Sequence, residues 1–382
     1  MSTNQEKQPN TKLRWYQYSL RTLMLMVLLV AIGMSWFTVK LNQARKQREA
    51  VEMIQKLGGK AIYDYEVNSR GSVVPIWLRN LIGNDFLNNI EWIQFDGPKI
   101  SDHDLEQITT RTKKIKILWL GHTQVTAAGL IHLKGFTQLQ ILGLDSTPIT
   151  DAGLENIKSL INLEALYLND TNITDEGLEI IKGLTRLEHF HIAGTKINDN
   201  GMIYIKKLSQ LQELGIARTQ IGDAGLAHLK ALTNLEWLDL SYTLITDAGL
   251  EHIKRLPRLR MLSLQHTNIS DAGLKYLKDL NQLSELWLDE TDITDRGLEY
   301  IKELTSLKIL SLENTKITDA GLKNVEGMTQ LVNLFLNKTE IGDAGLEHLK
   351  HMTNLKTLEF RNTNVSNAGM KNLQQALPDV EM

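Results

Sequence analysis

Apolar residues recur along most of the chain with a constant spacing of 24 positions. In the copy that begins at Leu139, the residues Leu142 and Leu144 alternate with others, which is typical of a half-buried strand. Leu154 and Ile157 follow at helical spacing after a polar turn. Each copy therefore predicts a short strand, a turn and a short helix. Because one such unit cannot bury its apolar side alone, the copies are expected to stack around one continuous core.

Twelve copies fit this pattern, and they fill residues 90–376. The first copy is one residue longer than the others and carries Pro98 where they carry threonine. Residues 377–382 are predicted to cap the last copy. The copies begin at Ile90, Ile115, Leu139, Leu163, Leu187, Leu211, Leu235, Leu259, Leu283, Leu307, Leu331 and Leu355.

Three polar or small positions recur with the same step, and Thr147, Asp151 and Gly153 represent them in one copy. The threonine hydroxyl is expected to bond to nearby backbone groups in the turn after the strand. The aspartate is expected to cap the helix that it precedes. The glycine is expected where a side chain would collide with its neighbours.

The copy that begins at Leu139 has the leucine-rich-repeat pattern, with threonine where asparagine or cysteine is usual. The chain resembles leucine-rich-repeat proteins whose copies read "TDxGL", which include the repeats of F-box substrate receptors. Segments 19–23, 48–51 and 63–66 resemble membrane-anchored bacterial members. The resemblance implies an α/β solenoid, with parallel strands on the concave face and short helices on the convex face. It also implies protein binding, but no F-box is recognisable and no ubiquitin-ligase role is carried over.

Residues 23–39 form an uncharged apolar run. Its 17 residues are at the short end of the roughly 17–25 that cross a bilayer, and Trp15 and Trp36 lie near its two ends. The run predicts an uncleaved signal anchor. A signal peptide cleaved near residues 31–33 is the alternative, whereas a core helix is disfavoured because no polar face recurs.

Basic residues flank both sides of this run, so charge does not choose its orientation. The short N-terminal tail favours a repeat domain outside the cytoplasm; a domain that faces the cytoplasm, or one secreted after cleavage, is the alternative. The chain therefore divides into a cytoplasmic polar tail (1–22), a transmembrane anchor (23–39), a helical stalk (40–59), an N-terminal cap (60–89), the solenoid (90–376) and a C-terminal cap (377–382).

The amino-acid composition excludes several classes of function. The chain has 42 Lys and Arg against 45 Asp and Glu, and this near-neutral balance does not favour binding to nucleic acid. It has no cysteine, which excludes disulfides, thiolate metal sites and cysteine nucleophiles. No nucleophile–base pair or phosphate loop is recognisable above the repeat background. The sequence therefore predicts a protein that is not an enzyme and has no cofactor.

Candidate binding residues are those that differ between copies, because the recurring residues are occupied with folding. Strand residues that alternate with buried leucines face the concave surface, and exposed Trp and Tyr are typical interface anchors. Acidic residues cluster around two of the tryptophans. The candidates are Trp119, Tyr167, His189, His191, Glu213, Trp237, Asp239, Tyr242, Glu285, Trp287, Asp289, Glu290 and Phe335.

His189, His191 and Glu213 form a weak candidate for a metal site, since two imidazoles and a carboxylate are expected to share one face. No fourth ligand is evident, and the sequence predicts no metal. The predicted function is a membrane-anchored scaffold that recognises a protein, peptide or glycan on the concave face. The alternative is a structural or spacing protein of the cell envelope without a specific ligand.

Overall fold

The computed structural model describes residues 20–67, 75, 77, 83–95, 97 and 99–382. Within these residues, thirteen strands form one sheet and follow one another in chain order. The strands are β1 (Lys60–Tyr63), β2 (Ile90–Gln94), β3 (Ile117–Trp119), β4 (Ile141–Gly143), β5 (Ala165–Tyr167), β6 (His189–His191), β7 (Glu213–Gly215), β8 (Trp237–Asp239), β9 (Met261–Ser263), β10 (Glu285–Trp287), β11 (Ile309–Ser311), β12 (Asn333–Phe335) and β13 (Thr357–Glu359).

Most repeats carry one short helix after their strand. The described α-helices are α1 (Leu20–Lys56), α2 (Asp64–Val67), α3 (Asn84–Leu87), α4 (Asp102–Arg111), α5 (Ala127–Leu130), α6 (Asp151–Leu154), α7 (Asp175–Ile181), α8 (Met202–Ile205), α9 (Asp223–Leu226), α10 (Asp247–Ile253), α11 (Asp271–Leu274), α12 (Asp295–Ile301), α13 (Asp319–Leu322), α14 (Asp343–Leu346) and α15 (Asn367–Ala376). Single turns of 3-10 helix follow three of them, at Ile131–Leu133, Leu229–Ala231 and Glu347–Leu349.

Strands β2 to β13 are parallel and pair in register, so the predicted solenoid is confirmed. One apolar cluster runs through all the repeats, and its leucines, such as Leu142 and Leu154, are fully buried. A helix with side chains is about 10 Å wide, whereas adjacent strands are about 4.8 Å apart. The stack therefore curves, with the strands on the concave side and the helices on the convex side.

Both ends of the sheet are covered. Strand β1 pairs antiparallel with β2, which closes the first edge. In the predicted N-terminal cap, strand β1 ends at Tyr63, and Asp64 begins α2. The Asp64 carboxylate accepts hydrogen bonds from the backbone of Tyr65 at 2.9 Å and of Asn89 at 3.2 Å, which turns the chain there. At the other end, Glu381 forms a parallel bridge with Thr357.

The predicted anchor and stalk form one unbroken helix, α1. Apolar side chains of its first part, from Leu20 to Val39, are exposed, whereas Ala44, Ala50 and Ile54 are buried against the repeats. The helix ends before Gly58, which adopts a φ of 82°. By length and composition α1 is suited to cross a membrane, and a signal sequence has the same properties.

Two predicted segments lie partly outside the described residues. The polar tail is described only from residue 20 onward. In the predicted N-terminal cap, residues 68–74, 76 and 78–82 are outside the described part, and Trp77 is exposed.

The recurring aspartate does not cap its own helix, and this expectation was wrong. In α10 the N-cap is Thr246, whose hydroxyl accepts a hydrogen bond from the Ala248 backbone at 3.3 Å. Asp247 instead accepts hydrogen bonds from the next N-cap, from the backbone N–H of Ser270 at 2.7 Å and from its hydroxyl at 2.6 Å. We call this carboxylate–N-cap pair a rung. The rungs with both bonds are Asp102–Thr126, Asp151–Thr174, Asp223–Thr246, Asp247–Ser270, Asp271–Thr294, Asp295–Thr318 and Asp343–Ser366.

The rungs explain the recurring glycine. A Cβ atom built on Gly297 would lie 2.5 Å from the Asp271 carboxylate oxygen, which is far inside contact distance. The rung to Thr150 is missing, because Ala127 stands where all the other copies except the last, which has Asn367, carry aspartate. There, a Cβ on Gly153 would meet its nearest atom, in Ile149, at 3.1 Å.

The expected threonine hydrogen bond is confirmed. The hydroxyl of Thr243, for example, donates to the Leu240 carbonyl at 2.6 Å, and the side chain is buried. The residue before each recurring threonine lies in the left-handed region, as Tyr242 does with a φ of 56°. This tight turn ends each strand. The sequence did not predict it, since glycine occupies the position in one copy only, at Gly194.

We expect Gly297→Ala to lower the free energy of unfolding by about 1–3 kcal/mol, because the new methyl group collides with the Asp271–Thr294 rung. The matched change Gly153→Ala should alter it by less than about 1 kcal/mol, since the helix-propensity gain of alanine offsets mild crowding. Urea unfolding of the full chain in a mild detergent measures both. Equal losses would show that the rung does not require the glycine.

We expect Ala127→Asp to build the missing rung on Thr150 and to raise the free energy of unfolding by about 1 kcal/mol. In that background Gly153→Ala should become destabilising. A double-mutant cycle from the same urea curves measures the coupling between the two positions. Additive effects of the two substitutions would contradict the rung mechanism.

Candidate functional site

Four candidate side chains form a continuous row on the concave face. Trp119 and Tyr167 have ring centroids 4.9 Å apart, Tyr167 stacks on His191 at 5.0 Å, and His191 contacts Trp237 at 5.1 Å. We call these four residues the aromatic ridge. All four side chains are partly exposed. The ridge crosses six strands, from β3 to β8.

Two glycines make room for this row. Gly143 pairs with Trp119 and with Tyr167, and the Trp119 ring leans over it. His191 leans in the same way over Gly215, where a Cβ atom would lie 2.6 Å from the imidazole Nδ1. The rings therefore touch across the space that each glycine leaves. The role of these glycines depends on side-chain positions, which residue spacing alone does not reveal.

His189 and Glu213 lie beside the aromatic ridge. A Glu213 carboxylate oxygen lies 2.9 Å from His189 Nδ1 and 3.6 Å from His191 Nε2. One oxygen thus faces both rings. Within the part of the chain that the structure describes, no group of three or more His, Asp or Glu side chains is arranged to hold a metal ion. The Glu213 carboxylate is therefore the shared neighbour of the two imidazoles.

Burial shifts the pKa values of two ionisable groups in the aromatic ridge. It lowers the pKa of the His191 imidazole below its usual value, although the Glu213 carboxylate acts in the opposite direction. Burial also raises the pKa of the Tyr167 hydroxyl, and the negative charge of Glu213 adds to the effect. Both rings are therefore uncharged at neutral pH, and the ridge presents neutral aromatic surfaces.

The predicted acidic zone is largely engaged within the protein. The Asp239 carboxylate accepts hydrogen bonds from the Ser241 backbone at 3.0 Å and from its hydroxyl at 2.6 Å. Asp289 accepts from the Glu313 backbone at 2.8 Å, and also from the side chains of Gln265 and Ser311. The Asp289 carboxylate thus joins consecutive repeats, whereas Asp239 bonds within its own repeat.

Glu285 differs from these carboxylates. It lies on β10 beside the zone and is partly exposed, and no described cationic side chain forms an ion pair with it. It is the acidic candidate in this region that stays available on the concave face.

Trp287 and Phe335 form a second, smaller aromatic group. Their rings stack at a centroid distance of 5.9 Å across β11, where Ser311 is small enough to leave the space. The Trp287 indole N–H is buried without a hydrogen-bond partner among the described residues. This pair lies two strands beyond the end of the aromatic ridge.

Tyr242 and Glu290 lie in the left-handed turns that follow strands, not on the strands themselves. Tyr242 stacks on His266 at 4.6 Å, and the His266 imidazole contacts the Glu290 carboxylate at 3.0 Å. These side chains form a row along the edge of the solenoid. The candidate set therefore divides between the concave face and this edge.

A convex row was missed in the sequence. Tyr204 and Tyr276 occupy the same helical position in their repeats, and lysine ammonium groups lie over their rings, Lys182 at 5.5 Å and Lys254 at 5.6 Å. The 24-residue step of these tyrosines was the available signal. Lys182 and Lys254 also pair with glutamates three residues earlier, which is ordinary for a solvated helix face.

Comparisons with known proteins agree with this fold. A leucine-rich-repeat family model matches residues 209–269, and a second one matches residues 159–181 and 303–325. No curated protein sequence matches the chain. Among solved structures, an internalin (inlF) from Listeria monocytogenes is similar, with 24% identity and a TM-score of 0.60, over 80% of this chain and 92% of that one.

Two further solved structures share less. An internalin C2 (inlC2) from Listeria monocytogenes has 25% identity and a TM-score of 0.43, over 56% of this chain and 83% of that one. The ectodomain of the plant receptor kinase GASSHO1/SCHENGEN3 from Arabidopsis thaliana has 15% identity and a TM-score of 0.49, over 76% of this chain and 38% of that one. The repeat period, the parallel sheet with its outer helices and the matched segments together show that the chain is a leucine-rich-repeat protein.

Proposed function

We propose that this protein is a membrane-anchored, non-enzymatic scaffold that binds a protein or peptide partner on its concave face. The aromatic ridge is the observation that carries the proposal. Tyr and Trp are the residues that most often dominate binding energy at protein interfaces, because they bury large area at small entropic cost. The leucine-rich-repeat fold supports the same function, since solenoids offer extended concave binding surfaces.

The size of the ridge suits an extended segment of a partner. It crosses five strand-to-strand gaps, which is about 24 Å at about 4.8 Å per gap. A fully extended peptide of about seven residues has that length. Because the rings are neutral and nearby Asp239 is engaged internally, recognition should depend on aromatic and apolar contact more than on charge.

The anchor is proposed from α1. Its most apolar 18-residue window has a mean hydropathy of 2.2, and none of that window is buried in the protein. Exposing so much apolar surface to water is unfavourable, at about 25 cal/mol per Å². The same helix continues into Ala50 and Ile54, which are fully buried against the repeats. A cleaved signal peptide fits this continuity less well than an anchor.

We expect Tyr167→Ala combined with Trp237→Ala to weaken partner binding at least about tenfold, because both rings are anchors at the centre of the surface. The full chain in nanodiscs would be used to select from a displayed peptide library, and the affinity of the selected peptides would then be measured. Tyr204→Ala with Tyr276→Ala removes two tyrosines from the convex face and is the matched control.

Peptides that bind the wild-type chain and the ridge variant equally would contradict the proposed site. If a glycan array rather than the peptide library yields ridge-dependent binders, the ligand class in the proposal is wrong. If neither does, while deletion of whole repeats disrupts the cell envelope, the structural or spacing role is favoured. Thermal melting of each variant would show that the fold is retained.

We expect the His191 imidazole to titrate below about 6.5, the usual value for histidine. Glu213→Gln should lower the pKa of His191 further, because it removes the carboxylate that opposes the effect of burial. Since the unfolded chain takes up the proton first, this group should reduce stability only as the pH falls below about 6.5. NMR titration of the imidazole protons measures the midpoint, and a midpoint above that value would refute a neutral ridge.

A further inference from the structure

A cleft lies where α1 meets the first repeat. It has a volume of about 300 Å³, at the lower end of the range for small-ligand sites. One wall is α1, just beyond its exposed apolar part, and the other is the end of α4 with the residues that follow it. The lining residues are Val39, Asn42, Gln43, Lys46, Gln47, Asn89, Thr110, Arg111, Lys113 and Lys114.

The cleft is strongly cationic. Four of its lining side chains are positively charged, and none of them is acidic. Arg111 forms an ion pair with Glu49, with 3.6 Å between the guanidinium Nε and a carboxylate oxygen. Lys46, Lys113 and Lys114 form no ion pair with any described acidic side chain. Such a concentration of unpaired cations favours an anionic ligand, and ammonium and guanidinium groups both bind phosphate well.

The position of the cleft relates it to a bilayer. Val39 is the last residue of the apolar run, so it marks the edge of the hydrocarbon layer if α1 crosses the membrane. Lys46 lies seven residues further along the same helix, which is about 10 Å at 1.5 Å per residue. The headgroup layer on each side of a bilayer is about 5–8 Å thick. The cleft thus extends from the hydrocarbon edge at Val39 through the headgroup layer to Lys46, whose long side chain can snorkel back to the lipid phosphates.

We propose that this cleft binds the headgroup of an anionic phospholipid, with the phosphate against Lys46, Lys113 and Lys114. The amides of Asn42 and Gln43 line the lower part, where they can bond to the polar headgroup, and Val39 continues toward the acyl chains. This inference rests on the proposed membrane anchor. Bound lipid would link α1 to the first repeat at the membrane surface.

The test uses the full chain in nanodiscs that contain phosphatidylcholine mixed with phosphatidylglycerol. Native mass spectrometry after release from the nanodisc counts the lipids that stay bound. The variant Lys113→Gln with Lys114→Gln removes two cations from the cleft. Lys206→Gln with Lys207→Gln removes an equally adjacent, exposed pair from the convex side and is the matched control.

We expect the wild-type chain and the control to retain phosphatidylglycerol in preference to phosphatidylcholine. The cleft variant should retain it about tenfold less, as expected for two lysines close to an anionic surface. Equal melting temperatures would show that the variants fold. Absence of a preference in the wild type, or an equal loss in the control, would overturn the inference.

Two further arms separate the possible failures. Inorganic phosphate is added as a competitor, and displacement of the lipid by phosphate alone would show a site for the free anion and overturn the lipid assignment. Flotation of the reconstituted chain with vesicles at alkaline pH tests the anchor itself. If the chain does not float, both the membrane anchor and the lipid site are contradicted. If it floats but shows no lipid preference, only the lipid site is contradicted.

Discussion

The structure depends on one recurring interaction, in which the carboxylate of most repeats accepts hydrogen bonds from the helix N-terminus of the next. Most helices of the array have only four to seven residues, too few to be stable alone, and their first N–H groups need acceptors. Asp247 supplies such an acceptor to Ser270, and the Asp271 carboxylate does the same for Thr294. The carboxylate occupies the space where the Cβ of a larger residue would stand at Gly297. Helix ends, repeat length and glycine spacing are thus parts of one requirement.

This requirement shapes the binding surface. Each rung joins equivalent positions of consecutive repeats, and even the longer first copy keeps both bonds of its rung, Asp102–Thr126. The strands consequently pair in register, and side chains at equivalent positions form straight columns. Variation is left to the outward positions of the strands. There, a large residue beside a glycine, such as Trp119 beside Gly143, makes an otherwise regular face uneven.

The fold was largely predictable from the sequence, because buried leucines such as Leu142 and Leu154 recur with a constant step in every copy after the first. The direction of the aspartate bond was not predictable. Spacing places Asp247 at a helix start, but it does not tell which of two neighbouring helices its carboxylate serves. The candidate site was predictable in part. Strand alternation put Trp119, Tyr167 and His191 on one face, where their rings meet.

The alternation rule failed beyond the ends of the strands. Tyr242 itself adopts the left-handed conformation, which directs its side chain to the edge of the solenoid. A single sequence carries little signal for a positive φ at a residue other than glycine. The hydrogen bonds that Asp289 forms within the protein could not be predicted from the sequence either. They depend on which rotamers neighbouring columns select, and these follow from packing rather than from spacing.

The two covered ends of the sheet set a limit on assembly. A parallel array with open edges would add further copies end to end and grow into a filament, because each edge strand offers unpaired backbone groups. Here the antiparallel strand β1 occupies one edge, and the Glu381 bridge to Thr357 occupies the other. The parallel stacking of repeats therefore stops at both ends of the sheet, and the reach of the array along its strand columns is set by the number of repeats.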